Sequence, residues 1–110
     1  MQATSIIIRT SVADKREAIR LARAALESHL AACAQILGPG LSIYRWQGVI
    51  EKSDEYYLSF KTPANKRDEL MAWLGMQHPY DVPEIVCTDC TTSEDYGNWL
   101  RHETTIQSDT

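Results

Sequence analysis

The chain has 110 residues, 44% of them hydrophobic, and a formal net charge of −4. That length corresponds to one domain, read here as residues 1–110, large enough to bury roughly two-thirds of its unfolded surface. The negative balance excludes the basic patch that a nucleic-acid surface needs and disfavours docking on anionic lipid.

Met1–Ser5 is short and polar, and Arg9 closes the apolar run Ile6-Ile7-Ile8. Such a run is too short for a signal-peptide core or a membrane span, so a cytoplasmic location is expected. Cys33, Cys87 and Cys90 are an odd count, which in a reducing compartment implies free thiols.

Ile6–Ile8 reads as a buried strand. Ser11 with Asp14 fits a capping box, and Asp14 with Glu17 offers a second helix start. Ile19, Ala22, Leu26 and Leu30 recur at helical spacing, with Arg16, Arg20, Arg23 and Glu27 facing outward. Leu30–Leu37 fits either helix or strand. Gly38-Pro39-Gly40 is expected to break the chain. From Leu41 to Trp46 the residues alternate as in a strand, Gln47-Gly48 can turn, and Tyr56–Lys61 is a further aromatic-rich strand.

Thr62-Pro63 predicts a helix start, with Thr62 as cap and Pro63 at the first helical position. Leu70, Trp73 and Leu74 form its apolar stripe, and His78-Pro79 ends it. Ile85–Asp89 predicts a strand, and Ser93, Tyr96, Trp99 and Leu100 a short last helix. The polar segment 104–110 is expected to fray. The order βαββαβ plus a terminal helix gives an α+β fold. It is the ferredoxin-like plait, with an antiparallel sheet, two helices on one face and an extra C-terminal helix. That plait serves many functions, so fold alone assigns none.

The motifs are more specific. Leu30-Ala31-Ala32-Cys33, Ser42-Ile43-Tyr44-Arg45-Trp46-Gln47-Gly48, Lys61-Thr62 and His78-Pro79-Tyr80-Asp81-Val82-Pro83-Glu84-Ile85 follow one another, with Tyr96 and Trp99 behind. The ordered set, spanning about Ile6 to Leu100, resembles the CutA divalent-cation-tolerance family. The chain departs from that family's pattern at Thr10-Ser11-Val12-Ala13-Asp14, which lacks the usual proline. Arg9 stands where some members carry a cysteine regarded as a ligand. The resemblance implies a homotrimer, a role in tolerance of copper and other divalent cations, likeness to PII signalling proteins, and no established catalysis.

Two side chains are candidate metal ligands. Cys33 offers a soft thiolate suited to copper or zinc, or else packs among alanines. His78 offers an imidazole before a rigid turn, or else caps helix carbonyls. Tyr44, Trp46, Lys61, Tyr80 and Glu84 are expected around an inter-subunit pocket, with an interface ion pair between Lys61 and Glu84 as the plainer alternative. Cys87 and Cys90 form a CxxC, but in a strand they point to opposite faces with Cα atoms roughly 10 Å apart. That exceeds the limit of about 7 Å for a disulfide. His29 and His102 are expected at the surface.

Aromatics on the second and third strands leave an open sheet face, and a plait has two unpaired edges, so assembly is expected. Three functions compete: a non-enzymatic metal-tolerance trimer, a PII-like regulator with ligand-binding clefts, and an acylphosphatase-like enzyme. The last needs an anion cradle around an arginine, and Arg9 lacks the glycines to build one.

Overall fold

Asp14 decides where the first helix begins. Its carboxylate accepts the Glu17 backbone N–H at 2.8 Å, so Lys15–Glu27 forms α1 and Ser11 stays in the preceding strand. The computed structural model describes residues 5–106. They form β1 (Ser5–Val12), α1, β2 (Cys33–Trp46), β3 (Val49–Pro63), a 3-10 turn (Ala64–Lys66), α2 (Arg67–Gln77), β4 (Val86–Cys90) and α3 (Glu94–Glu103). The four strands lie in the order β2-β3-β1-β4, every pair antiparallel. This is the expected plait.

Strand alternation separates two faces. Ile6, Ile8, Leu58 and Phe60 meet Ala18, Leu21 and Ala25 of α1 and Leu70 and Leu74 of α2 in the main core. Ile7 and Lys61 point the other way, towards Leu100 of α3. The third helix thus packs on the sheet face opposite the first two.

The buried stripe of α1 differs from the expected one. Ala18, Leu21, Ala22 and Ala25 are buried, while Ile19 and Leu26 remain about two-fifths exposed. Leu21 and three alanines occupy the sheet-facing side, which leaves Ile19 and Leu26 on the flanks of the helix. Leu30 lies beyond the helix. His29 takes a left-handed φ of 58°, and the Leu30 N–H bonds the Ala25 carbonyl, closing a Schellman-type end.

Three further expectations are corrected. Gly38-Pro39-Gly40 does not break the chain; it is an irregularity within β2, where the register with β3 shifts between Leu37 and Gly40. Gly40 is required there because a Cβ would collide with the Tyr57 ring. Thr62 does not cap a helix. It lies within β3, one residue before its end, fully buried, and donates its hydroxyl to the Leu30 carbonyl at 2.8 Å, an acceptor that would otherwise be orphaned. Thr104 is not frayed: it is 2% exposed and donates to the Leu100 carbonyl at 2.8 Å. Thr105 and Ile106 are exposed, and residues 107–110 of the expected tail lie outside the described residues.

Beyond Tyr56, β3 pairs with β2 alone, so Gly40–Trp46 and Val49–Glu55 make a two-stranded arm. The Cα radius of gyration is 15.0 Å, against about 13 Å for a compact chain of this size. The arm accounts for the excess.

Candidate functional site

The segment after α2 is held by one histidine. His78 ends the helix with an extended backbone (ψ 139°) because Pro79 excludes the helical form. The imidazole is buried. Its Nε2 donates to the Ser11 carbonyl at 2.9 Å, and its Nδ1 accepts the Tyr80 backbone N–H at 3.1 Å. Only the neutral Nε2–H tautomer serves both contacts. Burial pushes its pKa down, opposed by the hydrogen bond to Ser11. Arg20 of α1 donates to the Gln77 carbonyl at 2.9 Å, supplying the positive charge that the last turn of α2 lacks.

The turn places Tyr80 against the arm. Its phenol donates to Glu55 Oε2 at 2.9 Å. Glu55 is 6% exposed and pairs with Gly40 directly after the irregularity in β2. Burial, and then the Glu55 carboxylate, push the Tyr80 pKa well above the ordinary phenol value, so Tyr80 stays a hydrogen-bond donor. Between the arm and the segment Tyr80–Glu84 lies a half-open cleft of about 760 Å³. Tyr44 and Trp46 line one wall, Tyr80 and Glu84 the other, with Glu55 among the lining residues. Sequence reasoning had no place for Glu55. Glu55 is one acid in the wholly polar run Glu51–Glu55, which carries no local signal of burial.

Of the residues expected around an inter-subunit pocket, Tyr44, Trp46, Tyr80 and Glu84 line this cleft within one chain. Lys61 does not. It sits on the outer face of β3, donates to Gln35 Oε1 at 2.9 Å, and borders a smaller pocket with Cys90, Tyr96 and Leu100. Within one chain, Lys61 and Glu84 form no ion pair among the described residues.

Cys33 is half-buried at the start of β2, opposite Lys61. It lies beside Tyr96, whose pKa burial raises first and the Cys33 thiol second. Lys61 in turn pairs with Ile7, four residues from Ser11 along β1. Cys33 is therefore about 13 Å along the sheet from Ser11, where His78 is anchored, and about 10 Å across it. One ion cannot bridge that gap with ligand bonds of about 2 Å. The two ring nitrogens of His78 are also already committed. Cys87 packs against the main core opposite Ile8, with burial raising its pKa, while Cys90 lines the small pocket on the other face. No group of three or more His, Cys, Asp or Glu able to hold a metal occurs among the described residues. His29 and His102 are exposed, and His29 Nδ1 donates to the Glu103 carbonyl at 3.2 Å.

Residues 6–103 match the family model described as CutA1 divalent ion tolerance protein. The divalent-cation tolerance protein CutA of Thermus thermophilus is 38% identical over 100 residues, 89% of this chain and 96% of that one. The solved structure of CutA from Synechococcus elongatus superposes with a TM-score of 0.89 at 41% identity, over 94% of this chain and 93% of that chain. A second structure of the Synechococcus protein, complexed with a Bis-Tris molecule, gives a TM-score of 0.84 at 40% identity, over 93% and 95%.

Proposed function

The chain belongs to the CutA1 divalent ion tolerance family, and from that premise we propose that it acts as a homotrimeric, non-enzymatic tolerance protein. The hairpin arm carries the assembly. Leu41, Ile43 and Ile50, on one face of the ribbon, are each 59–68% exposed, and no other strand among the described residues pairs with it. Two-stranded ribbons are marginal alone, and an apolar patch of this kind favours association. Neighbouring copies would cover it and the unpaired edges of β2 and β4. The number three comes from the family resemblance. Light scattering should give the mass of three chains, and Ile43→Asp with Ile50→Asp should lower it. A wild-type monomer at micromolar concentration would sink the proposal.

A copper site within one chain does not fit the donors. His78 has no free nitrogen lone pair, and Cys33 belongs to no group of three or more candidate ligands among the described residues. Tolerance is therefore read as a cellular role, without a resident metal in each subunit. A stoichiometric copper site that survives dialysis against a weak chelator would overturn this. Unchanged sensitivity to copper and zinc salts in a host lacking the gene would sink the tolerance role itself. Three unpaired thiols suit a reducing compartment such as the cytoplasm. No helix among the described residues is long and apolar enough to cross a membrane.

A second reading, a PII-like regulator binding a small ligand, is favoured by the aromatic cleft and by the Bis-Tris complex of the Synechococcus relative. Saturable binding of a small molecule with shifts confined to Trp46 and Tyr80 would support it.

A further inference from the structure

We propose that the cleft between the arm and the Tyr80–Glu84 segment takes a small organic cation, a protonated amine on an apolar body, with Glu55 as its counter-charge. This rests on the small-ligand reading of the cleft and names the ligand's class.

Glu55 is the reason. The residue is only 6% exposed, yet no Lys, Arg or His among the described residues stands within ion-pair distance. Tyr80 supplies one neutral hydrogen bond to Oε2, and Oε1 accepts none among the described residues. A carboxylate that has given up most of its water without gaining a cation is a ready counter-charge for a cationic ligand. Because Glu55 lines the cleft, a ligand can supply what the fold omits.

The surroundings select the kind of ligand. Asp81 and Glu84 also line the cleft, against the single cation Arg45. Arg45 Nη1 points to the Gly48 carbonyl at 3.4 Å, towards the hairpin tip. The field is therefore negative and disfavours an anion. The carboxylates do not converge into a metal-holding group. Tyr44 and Trp46, on the same face of β2, keep more than two-fifths of their surface exposed. Their rings can cover the ligand's apolar body and face its charge. An ammonium near Glu55 would donate to Oε1 while Tyr80 holds Oε2 in place.

The test compares benzylamine, cationic at neutral pH, with benzyl alcohol, its neutral near-isostere, on the full chain in an amine-free buffer. Calorimetry should show saturable benzylamine binding, with the alcohol at least about tenfold weaker. Glu55→Gln should bring benzylamine to the alcohol's level without changing the native mass. The exposed Glu84→Gln, which leaves the buried network intact, should weaken benzylamine by about twofold to threefold, and it decides the matter if Glu55→Gln does not fold. Equal binding of both probes would overturn the cation while leaving a small-ligand cleft. Binding of neither would overturn the cleft reading as well.

Discussion

His78 Nε2 lies 2.9 Å from the carbonyl oxygen of Ser11, and this bond pins the end of α2 to the end of β1. The other ring nitrogen holds the Tyr80 backbone, so one neutral imidazole sets the path of the segment that walls the cleft. Replacing it by alanine removes one buried and one part-buried hydrogen bond. His78→Ala should cost about 2–3 kcal/mol, read from the urea midpoint. A loss below about 0.5 kcal/mol would show that the anchor is dispensable.

The same group predicts a pH dependence. Burial holds the folded His78 pKa below its ordinary 6.5, so the unfolded chain takes up the proton first as pH falls. Its contribution is fully present above about pH 6.5, falls away below that value, and levels off once the folded protein also protonates. Urea unfolding from about pH 8 to about pH 5 should show the decline in wild type and a shallower one in His78→Asn. Parallel curves would remove His78 as the cause.

Tyr80→Phe removes the one hydrogen bond that Glu55 Oε2 receives from the opposite wall. Bonds to a charged partner are worth about 1.5–3 kcal/mol, and a loss of that size is expected. In Glu55→Gln the partner is neutral, so adding Tyr80→Phe should cost less than it does in wild type. Strictly additive losses in this double-mutant cycle would contradict direct coupling between the two residues.

Thr10 lies in the core at 1% exposure, and its hydroxyl has no partner among the described residues. Thr10→Val keeps the shape and removes the unpaired polar atom. Stability should rise by about 1 kcal/mol. A decrease on thermal unfolding would reveal a hydrogen bond to bound water.

Gly40→Ala places a methyl where the Tyr57 ring lies, and that ring is tied to Ser42 by a 2.7 Å hydroxyl contact. Overpacking should cost about 1–3 kcal/mol. Gly75→Ala, in an open position on α2, should stabilise slightly. A reversal of that order by chemical denaturation would refute the packing argument.

Much of this protein follows from local pattern alone. Alternation and helical spacing identify the strands and helices in order, Ser93 caps α3 by accepting the Tyr96 N–H, and the three-residue spacing of Cys87 and Cys90 already turns them to opposite faces. These are short-range effects, carried by residues within a few positions of each other. The partners of His78, the burial of Glu55 and the continuity of β2 through Gly38-Pro39-Gly40 depend instead on contacts across the sheet. Ser11 is 67 positions from His78, and Glu55 is 25 from Tyr80. A local pattern cannot report which distant carbonyl takes an imidazole proton. It also cannot show that one carboxylate in a polar run is largely covered with no cation beside it. Tertiary packing decides both, because only the folded sheet determines which polar groups lose water and which partners replace it.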